Sequence, residues 1–520
     1  MPGAKRPTST KAKSKSKAAT SRTPSLLEAL NAAAPPRKLP PGLTAGALPD
    51  LVGTSPSTSV DPATKEALLS ALMAGKLREG ALVGAVRSSL TRESLDALAL
   101  ELLRFWQSKD FHGRYDWILD AVSAFRGDAS LIALAEHMAT WPGQSDSGRK
   151  RAIQAVPTLI AAGTDTALLA LLGLRQTAVV PSVLEAIIDG LDEVVEERKT
   201  TLSELFDVIT PTLGLDARGM RSFDYGRRRF TVAFDDHFEP HLRDESGHVV
   251  DELPPPEPGD DPMLAQAARA AWATLSAQLR EAVKVQTFRL EQDMVGGRRW
   301  SAKPWTKLLR DHPLLVSFTR RLLWAVYEDD TLSFAFRTAE DQSLVGLDDV
   351  EVHLPEDARI GLVHPLHLDD ASRAAWATSF ADYEIIQPFA QLGRTIHRVE
   401  PNEISETATA RFAETRFKSG VLRDVLVRKG WERDAAFHRR FYERTFARDG
   451  VVAIATMSPG VSAGSASYDV ADQTIPTIEL RKRTGRGMSR TPMPLAEAPP
   501  IAFSEAVLDL SDVLVEQDAR

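Results

Sequence analysis

Between Asp260 and Gly297 the sequence dictates one long helix, and a chain containing it must supply apolar surface along its whole length. Asp260 and Asp261 offer capping carboxylates and Pro262 stands in the first turn, where its missing N–H costs nothing. Leu264, Ala268, Ala271, Leu275, Leu279, Val283, Gln286, Leu290 and Met294 then recur at spacings of three and four, the stripe of a helix packed on one side. Gly296-Gly297 ends it, and Arg298-Arg299-Trp300 comes directly after. Pro304 and Pro313 each predict a further helix; in the second, Leu315, Phe318, Leu322 and Val326 face inward, Arg320 and Arg321 face out, and the helix reaches Tyr327. The stretch Phe288–Tyr327 is thus expected to be a structural hub where several elements meet.

The rest of the chain predicts a mixed, mostly α fold: an N-terminal helical array of HEAT type followed by an α+β domain. Residues 1–60 are rich in Ser, Thr, Lys, Ala and Pro, with Pro35-Pro36 and Pro40-Pro41, and are expected to be disordered because they bury too little apolar surface to offset their ordering entropy. Lys5, Arg6, Lys11, Lys13, Lys15, Lys17 and Arg22 occur there without an acidic residue before position 23, so a +7 tail is joined to a body of −15 in a chain of net charge −8. The favoured reading of such a tail is a solubilising leader, with non-specific attraction to phosphate backbones second and an organelle-type presequence third. Residues 61–204 read as helical pairs: Leu95, Leu98, Leu102 and Phe105, then Leu131, Leu134 and Met138, then Leu168, Leu171 and Leu172 fall at helical spacing, with Gly127, Gly143, Gly163 and Gly190 at the breaks. Trp106, Trp117 and Trp141 are expected to anchor that core.

Residues 205–327 are expected to combine a β-hairpin with the long helix. Phe230, Val232 and Phe234 alternate with polar neighbours, and Asp244-Glu-Ser-Gly247 supplies a turn within His237–Asp251. Residues 328–520 predict an α+β region, which with 205–327 could form one domain. Leu332–Arg337, Val350–Leu354, Arg359–Leu368, Gly450–Thr456 and Thr477–Lys482 read as extended, Ala371–Asp382, Leu422–Trp431 and Phe503–Val515 as helices, and 458–475 and 484–500 as loops.

Pro211-Thr-Leu-Gly-Leu-Asp, Phe223-Asp-Tyr-Gly-Arg-Arg-Arg-Phe-Thr-Val, Arg289-Leu-Glu-Gln-Asp-Met-Val, Arg299-Trp, His312-Pro-Leu, Leu323-Trp-Ala-Val-Tyr, Gly361-Leu-Val-His-Pro-Leu, Asp382-Tyr-Glu-Ile-Ile-Gln-Pro-Phe-Ala-Gln-Leu and Ala502-Phe-Ser-Glu-Ala-Val occur in this order. Over roughly residues 160–515 the chain resembles the bacterial domain of unknown function found beside WGR domains and in MolR-like proteins, which are described as regulators of molybdate metabolism. The resemblance implies a regulatory setting and carries over no activity, cofactor or catalytic residue. No WGR domain is read upstream, only the basic tail and the helical pairs.

Composition excludes several chemistries. There is no cysteine, hence no disulfide, thiolate metal site or cysteine nucleophile. The longest apolar runs, such as Ala167–Leu172, fall short of the ~18 residues that span a bilayer, and no secretory leader is read, so no membrane partner is expected and a cytoplasmic location is. Neither phosphate-loop nor dinucleotide fingerprints occur. Gly460-Val-Ser-Ala-Gly464 matches a nucleophile elbow around Ser462, but the residues after it read as loop and strand, and no histidine occurs after His438. His364-Pro-Leu-His367 beside Asp369-Asp370, and Asp235-Asp236-His237, are read as strand-end and turn residues rather than metal ligands, and Asp348-Asp349 as a turn. No metal or cofactor is expected. Arg227-Arg228-Arg229 beside Phe230, and Arg298-Arg299 beside Trp300, have the chemistry to grip phosphate or stack on a base, but solvated arginines pairing with the acidic body are the favoured reading.

The expected function is a non-enzymatic interaction or regulatory module with a protein partner. Two alternatives stand beside it: nucleic-acid association through the basic tail, and an enzyme of unrecognised type with a polar cleft within 205–400. The candidate polar site comprises Asp224, Arg227, Glu291, Arg299, Trp300 and His364.

Overall fold

The computed structural model describes residues 25–55, 60–78, 80–178, 180–235, 237–433, 441–446, 449–460, 472–484, 487–489 and 491–519. The chain divides into one unit through Phe125 and another from Arg126. In the first, helices α1 (Leu26–Ala33), α2 (Pro62–Met73), α3 (Ala81–Ser89), α4 (Arg92–Gln107) and α5 (Ile118–Phe125) bury Leu30, Leu68, Leu72, Leu98, Leu102 and Trp106. The expectation of disorder over 1–60 is corrected for residues 25–55. Ser25 and Glu28 form a capping box, Glu28 N–H donating to Ser25 Oγ at 3.2 Å and Ser25 N–H to Glu28 Oε2 at 2.8 Å. The proline-rich segment after α1 is held by Lys65. Its buried ammonium donates to the carbonyls of Ala45 (3.1 Å) and Leu48 (3.0 Å) and to Asp50 Oδ1 (2.9 Å), using all three donors.

The second unit begins with α6 (Asp128–Gln144), α7 (Asp146–Ala162), α8 (Asp165–Thr177), α9 (Pro181–Arg198) and α10 (Leu202–Ile209). α6 packs on α7 and α8, and α7 on α9, the alternating stack of a helical-pair array. Ser145, Thr164 and Thr201 cap α7, α8 and α10 with their hydroxyls. Trp106 and Trp141 are fully buried, whereas Trp117 is half-buried.

A four-stranded antiparallel meander comes next, β1 (Arg221–Asp224), β2 (Arg229–Phe234), β3 (Pro240–Arg243) and β4 (Val249–Val250), with the Asp244–Gly247 turn between β3 and β4. His237–Asp251 is therefore two strands. The long helix is α11 (Pro262–Val295), 34 residues and ~50 Å at 1.5 Å per residue. Asp261 caps it, accepting from Met263 and Leu264 N–H, and its stripe is buried from Ala265 onward while Leu264 stays exposed.

After α11 come β5 (Trp300–Ser301), α12 (Ala302–Trp305) running into a π-turn (Thr306–Arg310), α13 (Val316–Thr319), β6 (Trp324–Glu328), β7 (Thr331–Thr338), β8 (Leu344–Val345) and β9 (Arg359–Leu362). The predicted helix from Pro313 to Tyr327 is corrected: it stops at Thr319, and Trp324–Glu328 is the central strand of a sheet ordered β5-β9-β6-β7-β8. All four residues Trp324–Tyr327 are buried, so both faces of this strand are covered, and its unbroken apolar run mimics a helical stripe. Val350–Leu354 contributes only an isolated bridge at Glu351. Gln391 seals the sheet end, accepting from Leu323 N–H at 2.8 Å and donating to the carbonyls of Leu323 and Val363 at 2.9 Å.

The remaining elements are α14 (Asp370–Asp382), β10 (Ala408–Thr409), α15 (Ser419–Arg428), β11 (Glu432–Arg433), β12 (Phe441–Phe446), β13 (Val451–Ser458), β14 (Thr474–Thr484), β15 (Gly487–Met488) and α16 (Pro500–Ala519). The second large sheet runs β10-β14-β13-β12-β11, with β15 on β14. One apolar core joins both large sheets, the end of α11, α15 and α16, with Trp305 in edge contact with Trp324 and Phe336. α16 is buried on every side from Ala502 to Leu510. The expected boundary at 204/205 does not appear, because α8 packs on α11 and α15 and so ties the later helical pairs to the sheets.

Replacing Lys65 by Met should release the 45–50 segment at a cost of about 1–3 kcal/mol for the stranded acceptors. Limited chymotryptic cleavage at Leu43, Leu48 or Leu51 should accelerate several-fold; an unchanged rate would show that Lys65 does not hold the segment.

Candidate functional site

The last three turns of α11 bury Gln286, Arg289 and Asp293 among apolar neighbours and half-bury Glu291 and Gln292, so each needs a partner from another element. Asp207 on α10 answers Arg289 (Nη1–Oδ1 2.5 Å) and Arg298 (Nη2–Oδ2 2.5 Å), and accepts from Trp300 Nε1 at 3.1 Å. Arg298 also reaches Asp293 at 3.4 Å and lies over the Trp300 ring, 4.6 Å from its centroid. Burial pushes the Asp293 carboxyl up, against the pull of Arg289 and Arg298.

Glu291 accepts from Arg394 Nη1 at 2.7 Å, and Arg394 turns its other edge to Glu505 on α16, with Nε–Oε1 at 2.7 Å and Nη2–Oε2 at 2.5 Å. This bidentate pair is fully buried at Glu505. His364 Nδ1 accepts from Leu366 N–H at 3.2 Å, which puts the ring proton on Nε2, donated to Glu505 Oε1 at 3.1 Å. Burial alone would raise the Glu505 carboxyl; the hydrogen bonds from Arg394 and His364 overcome it and hold the group well below the usual carboxylate range. One turn on, Asp509 accepts from Arg444 Nη1 and from Trp431 Nε1 (2.7 Å), while Arg444 Nη2 donates to Gln292 Oε1 at 3.0 Å.

Four of the six sequence candidates meet in this region. Glu291 and His364 share the Arg394–Glu505 pair, and Trp300 joins Asp207. Arg299 stacks on Tyr327, 3.4 Å from the ring centroid; the Tyr327 hydroxyl bonds His367 Nδ1 at 2.9 Å, next to His364. Gly361 permits this approach, since a Cβ there would lie 2.7 Å from the Arg298 carbonyl. Asp224 and Arg227 lie apart, exposed at the β1–β2 turn, where Asp224 accepts from Gly226 N–H at 2.7 Å. In that arginine run Arg228 is the engaged residue, bound to Asp260 and Glu257 at 2.7 Å. Ser462 and the tail residues Lys5, Arg6, Lys11, Lys13, Lys15, Lys17 and Arg22 lie outside the described residues. Sequence reasoning misses Asp207, Arg394, Arg444, Glu505 and Asp509. The available signal is Glu505 and Asp509, two acids one turn apart inside the apolar run of α16.

Above Arg289 and Gln292 a cleft of about 300 Å³ opens between α8, α9 and α10 on one side and α15, β11 and β12 on the other. Leu172, Ile188, Phe206, Phe288 and Val427 give it apolar walls; Arg175, Arg289, Asp293, Glu432 and Glu443 give it charge. Among the described residues, no group of three His, Asp or Glu side chains is arranged to hold a metal ion. No helix among them is long and apolar enough to cross a membrane.

Residues 247–431, which hold α11 and α15, match a domain of unknown function (DUF4132). The chain is also similar to the uncharacterized protein YehI of Escherichia coli (strain K12), 32% identical over 343 residues, which cover 65% of this chain and 28% of that protein. No solved structure matches the chain.

Glu505→Gln should destabilise the second unit by about 3 kcal/mol at neutral pH, because Arg394 is left buried without its countercharge. A carboxyl held low in the folded state stabilises fully above its unfolded value of ~4.3, and that stability is lost as pH falls through the folded value. The gap between wild type and variant in urea denaturation should therefore narrow below about pH 4; a gap constant with pH would contradict the assignment.

Proposed function

We propose that the chain works as a non-enzymatic interaction or regulatory module in the cytoplasm, with the cleft over the end of α11 as its receiving surface and a protein partner responding to its occupancy. The observation that carries this reading is the commitment of the buried acids: Asp207, Glu505 and Asp509 each face a guanidinium, which leaves them fixed as scaffold rather than poised as bases. The polar floor holds the shape of the cleft while its apolar walls supply the binding surface. The resemblance to MolR-like regulators supports the same reading.

The test is a thermal-shift screen of metabolite mixtures beside an activity screen for hydrolysis of nucleotides, esters and nucleic acids. Stabilising compounds without turnover are expected. Turnover that disappears in Asp293→Asn, with the fold intact, would overturn the proposal.

A second reading rests on the seven basic residues within positions 1–22. It takes the tail as a salt-sensitive contact to nucleic acid and predicts that removing residues 1–22 abolishes binding to duplex DNA at low salt; binding that survives the deletion refutes it.

A further inference from the structure

Two guanidiniums line the same cleft with N–H groups left over. Arg289 is 3% exposed and spends only Nη1 on Asp207; its Nε and Nη2 are buried without a hydrogen-bond partner. An ionised donor withdrawn from water and unmatched in protein is rare in a folded core and calls for an acceptor from outside the chain. Arg175, on α8, makes no side-chain hydrogen bond or ion pair among the described residues. Burial pulls its ionisation downward, only partly opposed by Glu432 and Asp192. The lining also carries the carboxylates of Asp293, Glu432 and Glu443: Asp293 is turned to Arg298, and Glu432, exposed at the rim, acts on Arg175 through space.

We propose that the cleft binds a small organic anion, a carboxylate or phosphate monoester with an aliphatic or aromatic body, whose head is met by Arg175 and Arg289 and whose body lies against Phe206, Phe288 and Val427. The volume of about 300 Å³ sits at the lower end of small-molecule sites and suits a ligand of this size. Planar guanidiniums match both head groups through paired N–H donors. Glu432 competes for Arg175, so its removal strengthens binding. This inference rests on the cleft being the receiving surface.

The experiment is calorimetric titration of the full chain with 4-phenylbutyrate, phenyl phosphate, inorganic phosphate and the neutral isostere 4-phenylbutyramide. At least one of the two organic anions should bind at least about tenfold more tightly than both the amide and inorganic phosphate. Arg175→Gln should weaken that binding by about tenfold, and Glu432→Gln should strengthen it by a few-fold, a gain that no loss of folding can imitate. Equal binding of anion and amide would overturn the inference while leaving the cleft as a receiving surface. Inorganic phosphate equal to both organic anions would reduce the site to a bare anion hole and overturn the organic-anion class. No binding by any probe, or Glu432→Gln binding no tighter than wild type, would overturn the inference outright, the broader reading being judged by its own thermal-shift and activity screens.

Discussion

Charge buried at the end of α11 is the constraint on which the second unit depends. A guanidinium or carboxylate removed from water costs several kcal/mol unless a partner stands at hydrogen-bonding distance, and Arg289, Glu291 and Asp293 lie within five residues of one another. Their partners come from α10, from the segment before β10, from the Arg298 turn and, through Arg394, from α16. Apolar packing alone would tolerate sliding α11 against these elements by a fraction of a turn. Paired charges do not, because a shift that breaks one pair strands a buried ion. The network therefore fixes register among elements that hydrophobic burial merely gathers.

The same logic explains α16. A helix buried on every side gains from each apolar residue and loses from each polar one, yet Ser504, Glu505 and Asp509 are all wholly buried. Ser504 accepts from His397 N–H at 2.9 Å, Glu505 takes Arg394 and His364, and Asp509 takes Arg444 and Trp431. Each polar group points to a different neighbour, so α16 fits its socket in one rotation.

Local rules make much of the architecture legible. The cap at Asp261, the stripe of α11, the turn at Asp244–Gly247 and the alternation through Phe230 and Val232 depend on residues a few positions apart, and sequence displays those directly. Trp324–Tyr327 reads as helix because a strand covered on both faces loses its period of two, so Leu315, Phe318, Leu322 and Val326 counterfeit a helical stripe. Residues 25–55 read as disordered because composition registers prolines and misses one lysine, Lys65, that satisfies three acceptors from 15 to 20 positions away. Glu291, Trp300 and His364 stand out in sequence as unusual, but their meaning lies in Asp207, Arg394 and Glu505. Those partners stand 93 to 141 positions distant in the bonds that define the site, beyond the reach of any local pattern.

The segment matching the domain of unknown function, 247–431, contains Arg289, Arg298, Trp300, His364 and Arg394 with two of their carboxylate partners, Glu291 and Asp293, but lacks the other two, Asp207 and Glu505. Taken alone it would leave guanidiniums in an apolar core short of countercharge, which exceeds what a domain of ordinary stability tolerates. Helices α6 to α10 before it and the sheet and helix after it therefore belong to one unit with it, in which α8 packs on α11 and α15. The cleft results from that arrangement: α11 and α15 lie inside the matched segment, α8 to α10 and β12 outside it, so the cleft forms where the flanks supply the countercharge and the opposite wall.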